Sequence, residues 1–201
     1  MDTINTAEIG ATPRSRQGEL ILDEHVIIRQ VELKECTAGI MHKFNRYQEV
    51  NRCWRKENGE WILKDIAFVE DWDEKQKDSI IESFSTCIKH GGIILGAYYE
   101  EYIIGFAWVE NELFGSENEY INLVSLQVSY GFRHQGIGRI LFEKSCVEAI
   151  SLGAKKLYIS AHSSEETQAF YKAMGCCETL EINQALFEKE PLDCHMEYCF
   201  G

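Results

Sequence analysis

Proline and positive charge are what this sequence has least of. Pro13 and Pro191 are the only two prolines in 201 residues, so no proline-rich linker or polyproline segment divides the chain. Lysine and arginine total 20 against 33 aspartates and glutamates, which leaves a formal net charge of −13. Such a surface repels phosphate backbones and anionic membranes, and no nucleic-acid or membrane partner is expected. No apolar run approaches the roughly 18 residues that a membrane span needs. Met1–Asn5 carries neither the basic nor the apolar region of a signal peptide, and the expectation is a cytoplasmic protein. None of the eight cysteines forms a Cys-x-x-Cys pair, so reduced thiols are expected rather than a disulfide framework. The spacing of Cys176, Cys177, Cys194, His195 and Cys199 is not that of close zinc-ligand pairs, and no metal is expected.

What is present reads as one globular unit from residue 20 to 201, preceded by a polar, flexible arm over 1–19. Val26, Ile27 and Ile28 belong to a β-branched run that predicts a first strand over Leu20–Val31, bent near Asp23. Ile40, Met41, Phe44, Tyr47 and Val50 recur at three and four residues, which predicts a helix over Leu33–Trp54. Ile80, Ile81, Phe84, Cys87 and Ile88 predict a second helix over Asp73–Lys89, stopped by Gly91-Gly92. Strands are predicted at Ile93–Tyr99, Tyr102–Val109 and Tyr120–Val128, then a helix over Gly136–Leu152 and a strand at Lys156–Ser160. A further helix over Ser163–Met174 is opened by a Ser163-x-x-Glu166 capping box, with Gly175 after its end. Two final strands are predicted at Cys176–Ile182 and Cys194–Phe200. The order implies an α/β (α+β) fold: a mixed, mainly antiparallel sheet of about seven strands with helices on both faces.

The stretch from Leu126 to Leu141 carries the chemistry. A strand ends, a short turn follows, and a helix starts with Gly136 and Gly138 in its first turn. Free amides at a helix start carry the positive end of the helix dipole and bind phosphate oxygens, and Arg133 and Arg139 add charge nearby. A P-loop needs Gly-Lys-Ser/Thr, but Gly138 is followed by Arg139 and Ile140. A dinucleotide fingerprint needs a third glycine where Leu141 stands. The run Arg133-His134-Gln135-Gly136-Ile137-Gly138 instead resembles the Arg/Gln-x-x-Gly-x-Gly/Ala signature of the GNAT acetyltransferases. Phe170-Tyr171-Lys172-Ala173-Met174-Gly175 resembles that family's later Phe-Tyr-x-x-x-Gly segment, and the element order agrees from about Val26 to Phe200.

The resemblance implies the GNAT fold and transfer of an acetyl group from acetyl-CoA to an amine. It implies that Leu126, Gln127 and Val128 expose backbone to pantetheine, and that the segment Arg133, His134, Gln135, Gly136, Ile137, Gly138 and Arg139 holds the diphosphate. Ser164 falls where many relatives carry a pantetheine-contacting asparagine. Tyr171 matches the tyrosine that protonates the departing thiolate. Asn122 stands where many relatives place a glutamate or histidine base; an amide cannot take that proton but can orient a water. Glu119, His134 and His162 are alternative proton acceptors. The acceptor pocket is expected within Leu33–His90, where Trp54, Trp61 and Trp72 accompany Glu70, Asp71, Asp73 and Glu74. Aromatic rings beside carboxylates suit a small cationic amine, although core tryptophans and solvated acids give the same pattern. A domain that binds acyl-CoA without turnover is the alternative reading, and cysteine nucleophilic catalysis the rival mechanism. Relatives often form homodimers, and nothing in these residues decides that state.

Overall fold

The computed structural model describes the backbone of residues 14–16 and 19–23 and all of residues 26–200. Met1–Pro13, the greater part of the expected arm, lies outside the described residues. Nine strands form one sheet: β1 (Arg14–Arg16), β2 (Glu19–Asp23), β3 (Val26–Gln30), β6 (Ile93–Tyr99), β7 (Tyr102–Val109), β8 (Tyr120–Val128), β9 (Lys156–Ala161), β11 (Cys194–Cys199) and β10 (Cys177–Glu178), in that spatial order. Every neighbouring pair is antiparallel except β8 and β9, which run parallel. Helix α2 (Ile137–Ser151) connects those two strands, as a parallel pair requires a crossover. The expected mixed, mainly antiparallel sheet is present. Its strands outnumber the expectation because the first run divides into β2 and β3 and gains β1.

The central strands are buried on both faces. In β7, Ile104 and Ala107 pack with Ile137, Leu141 and Phe142 of α2, whereas Ile103 and Phe106 pack with Ile81 and Phe84 of α1 (Glu74–Lys89). This explains why the strands read as nearly continuous apolar runs. Helix α1 opens with a capping box in which Asp73 Oδ1 accepts from the Gln76 amide at 2.8 Å and Gln76 Oε1 accepts from the Asp73 amide at 2.9 Å. Among the described residues no helix is long and apolar enough to cross a membrane.

Three expected elements differ. In place of a helix over Leu33–Trp54 the chain makes two short 3₁₀ turns, Leu33–Glu35 and Ala38–Met41, and then β4 (Gln48–Glu57). β4 pairs with β5 (Glu60–Glu70) as a separate hairpin. A bulge between Val50 and Arg52 puts one extra residue in β5, and in β4 the buried Val50 and Cys53 stand three residues apart. The hairpin signal was Asn58-Gly59: both residues are left-handed, at φ 53° and 87°, as a two-residue type I′ turn requires. The expected strand over Cys176–Ile182 shrinks to two residues. The chain then turns into α4 (Gln184–Lys189), capped by Asn183, whose side chain accepts from Leu186. Finally, α3 (Glu165–Ala173) is capped by Ser164, which accepts from the Thr167 amide at 3.3 Å, and not by Ser163. The Ser163 hydroxyl accepts from Arg55 at 2.6 Å.

Candidate active site

Strands β8 and β9 pair only at Tyr120–Asn122 with Lys156–Tyr158 and then part. On its other edge β8 stays bonded to β7 as far as Val128, with Val124 bulged between Leu123 and Ser125. The edge of β8 beyond Asn122 therefore has no ladder partner on the β9 side among the described residues. Backbone polar groups require partners, and an extended ligand can supply them as an added strand would. The gap opens into a cleft of about 790 Å³.

One end of the cleft is made by the turn into α2. After a 3₁₀ turn at Tyr130–Phe132, His134 has φ 61° and Gly136, the N-cap of α2, has φ 82°. Left-handed residues on either side of Gln135 build a concave run of amides at the positive end of the helix dipole, and no side chain caps it. Gly136 is needed for its backbone angle: a Cβ there would touch nothing but would be strained. At Gly138 a Cβ would stand 3.4 Å from the Phe170 ring and 3.7 Å from Val128, narrowing the gap between β8 and α3. Arg133 fastens the turn, donating to the Val128 carbonyl at 3.0 Å and to the Arg46 carbonyl at 3.2 Å. Burial, and then the neighbouring Arg46 charge, lower its affinity for its proton.

Leu126, Gln127, Val128, Arg133, His134, Gly136, Gly138 and Arg139 all stand on the cleft wall, as do Tyr171 and Asn122. Gln135, Ile137 and Ser164 do not. Gln135 is exposed and donates to the Gly131 carbonyl, Ile137 is buried beneath α2, and Ser164 is spent on capping α3.

Tyr171 is buried, yet its hydroxyl has no hydrogen-bond partner among the described residues. Burial, with the nearby Cys176 and Asp193 charges, pushes its phenol upward, so it stays protonated. The Asn122 side chain is 5% exposed; its Nδ2 donates to Glu110 at 2.9 Å, and its Oδ1 is left without a partner. The Glu110 contact fixes which amide atom is the acceptor. An unpaired buried acceptor is costly unless something in the cleft donates to it.

The rest of the wall is built from side chains of several elements: Arg46, Gln48, Glu70 and Trp72, His162 after β9, and Glu190 and Asp193 before β11. Arg46 is buried and donates to Gln48 at 2.9 Å and to Glu70 at 2.7 Å. His162 Nδ1 accepts from the Ser164 amide at 3.2 Å, while Nε2 stands 3.7 Å from Glu70. Burial lowers the His162 pKa, favouring a neutral ring whose single lone pair is already used. Asp193 accepts from Ser160 Oγ at 3.3 Å; burial, and then Glu190, raise its carboxyl to about 6. Glu119 is held by Lys156 at 2.8 Å and is absent from the cleft wall. Trp72 faces the cleft, whereas Trp54 and Trp61 line a separate cavity of about 110 Å³ beside Lys172. No cysteine lines the main cleft, and burial pushes the Cys176 and Cys194 thiols up to about 12.

Asp193, Ser160 and Arg46 were missed in the sequence. None sits in a motif, and their only common feature is a place on this wall.

Comparison with known proteins agrees with this geometry. The model of the acetyltransferase (GNAT) family matches residues 47–176. The chain belongs to that family and is an acetyltransferase. Among solved structures it is similar to a nourseothricin acetyltransferase, at 14% identity and TM-score 0.61, over 87% of this chain and 98% of that one. It is also similar to a Bacillus anthracis protein assigned as a streptothricin acetyltransferase and solved with acetyl coenzyme A. There the identity is 14% and the TM-score 0.63, over 88% and 98% of the two chains. PaiA N-acetyltransferase from Thermoplasma acidophilum, solved with coenzyme A, gives 15% and 0.54, over 87% and 99%. At these identities the likeness establishes the fold. A search of curated proteins gave no significant match.

Proposed function

We propose that the protein acetylates a small cationic amine by direct attack of that amine on acetyl-CoA within a ternary complex. The observation that carries this reading is the parted β8–β9 edge, which leads from the uncapped amides at Gly136 to the free hydroxyl of Tyr171. The diphosphate lies on the amides of the turn, beside Arg139, and the pantetheine runs along Leu126–Val128. Tyr171 protonates the sulfur as the C–S bond breaks; a phenol kept neutral by burial holds its proton until the thiolate forms. Asn122 Oδ1 accepts a hydrogen bond from the incoming nitrogen or from a water beside it. Trp72 with Glu70 and Glu190 suits a cationic acceptor, since a ring face and carboxylates both attract an ammonium group. The absence of cysteine from this wall supports direct attack over a thioester intermediate on the enzyme.

The test combines calorimetry with CoA and a thiol-release assay with acetyl-CoA and a panel of amines. Thiol release that depends on an amine, with saturation by both substrates in intersecting double-reciprocal lines, supports the reading. Parallel lines, or an acetylated enzyme trapped before the amine is added, would replace it with a covalent route. CoA binding without release from any amine would favour a sensing role.

A further inference from the structure

We propose that Asp193 is the proton acceptor that prepares the amine, taking the place of the carboxylate that Asn122 cannot supply. The inference rests on the acetyl-transfer reading above. Four carboxylates line the cleft: Glu70, Glu166, Glu190 and Asp193. Glu70 is engaged by Arg46 and faces His162. Glu166 accepts from Gln48 at 3.4 Å and stands 3.8 Å from His134. Glu190 is exposed. Asp193 alone combines partial burial with a neutral hydrogen-bond partner, the Ser160 hydroxyl, and no direct cation. His162 offers no lone pair while Nδ1 holds the Ser164 amide.

Position agrees with the role. Ser160 lies on β9 directly across from β11, at the wall that faces the parted edge of β8, and Asp193 immediately precedes β11. Asp193 is also near enough to Tyr171 for its charge to bear on the phenol. The groups facing the carboxyl are Ser160 of β9, Glu190 at the end of α4, Glu70 of β5, Arg55 of β4 and Tyr171 of α3. Burial and the two glutamates raise its pKa to about 6, while Ser160 and Arg55 lower it. A base poised there is ionised at neutral pH yet holds a proton better than an ordinary aspartate.

The protons balance as follows. The Asp193 carboxylate takes one proton from the acceptor ammonium, and the freed lone pair forms the C–N bond to the thioester carbonyl carbon. The C–S bond breaks with its electron pair on sulfur, which takes the Tyr171 proton. The nitrogen gives its surplus proton to the Tyr171 phenolate, and Asp193 releases its proton to water. One ammonium and one acetyl-CoA yield one amide, one free thiol and one proton.

The experiment compares wild type, Asp193→Asn and Ser160→Ala with two acceptors of similar shape, ethylamine and 2,2,2-trifluoroethylamine. Ethylamine is charged at pH 7 and the fluorinated amine is already neutral. For Asp193→Asn, kcat/KM with ethylamine should fall by about 10²-fold or more, against less than about threefold with the neutral amine. CoA affinity measured by calorimetry should be unchanged. Ser160→Ala should keep its plateau and move the acidic limb of the pH profile upward, because the carboxylate loses a donor. Carbon-13 spectra of labelled aspartate should show a carboxyl titrating near pH 6 in wild type and missing in Asp193→Asn. An equal loss with both amines, an unmoved acidic limb in Ser160→Ala, or an ordinary carboxyl titration would overturn the assignment. Wild type that releases no thiol with these two or with any other amine of the panel overturns the transfer itself, a different result from turnover that Asp193→Asn leaves untouched.

Discussion

Two parts of the cleft wall are made of different material. The α2 part is backbone: amides over His134–Arg139 and the unpaired edge of β8, all from one stretch of chain. The other part is side chain: Arg46, Glu70, Trp72, Asn122, His162 and Asp193, gathered from positions almost 150 residues apart in sequence. Every residue has the same amides, so a backbone site needs only the right φ values and suits a ligand common to many relatives. A side-chain site varies one residue at a time without disturbing the ladder, which suits an acceptor that differs between relatives.

That division can be broken from either side. The largest effect is expected at Tyr171, where both parts meet. Tyr171→Phe should lower kcat by about 10²-fold or more, in the range of general acid catalysis, with the Kd for CoA within about twofold. Stopped-flow thiol release and calorimetry check the pair, and an unchanged kcat removes Tyr171 from the chemistry.

Asp193 tests the side-chain part through stability. Its folded pKa lies near 6 against an ordinary 3.8. The folded state therefore binds the proton more tightly, so stability from this group is complete below about pH 3.8 and is lost as pH rises through 6. Asp193→Asn should accordingly stabilise the protein at pH 8 by about 1–3 kcal/mol, and do nothing at low pH, where both side chains are neutral. Urea titrations at pH 3 and pH 8 measure the difference.

In the backbone part, Gly136→Val places a β-branched residue at φ 82°. It should distort the turn at a cost of about 1–3 kcal/mol and weaken CoA roughly tenfold. The acceptor KM, measured at saturating acetyl-CoA, should barely change. A matched loss in both substrates would mean that the two parts are not independent. The smallest effect is expected from Asn122→Ala, about three- to tenfold in kcat/KM for the amine with CoA affinity intact, since one neutral hydrogen bond contributes about 0.5–1.5 kcal/mol.

The same contrast explains what could be read in advance. The signature around Gly136 and the Phe170-Tyr171 segment were visible because each is a local pattern whose chemistry lies in consecutive residues. The amides of Gln135 and Ile137 belong to that turn, but their side chains and that of Ser164 stand off the cleft wall: one faces solvent, one the core, and one caps α3. The hairpin of β4 and β5 was hidden because Ile40, Met41, Phe44, Tyr47 and Val50 keep a helical spacing through the 3₁₀ turns and into β4, even though Asn58-Gly59 marked the turn.

Local sequence by itself determined the alternation of strands and helices from Ile93 to Ala173, the glycine turn into α2 and the phenol on α3. Each depends on φ preferences and apolar spacing within a few residues. Tertiary structure alone decided that Asp193 is half-buried beside Ser160, that Glu70 is claimed by Arg46 and that Asn122 keeps a free oxygen. Burial and charge pairing belong to neighbours in space, and the chain order does not record them.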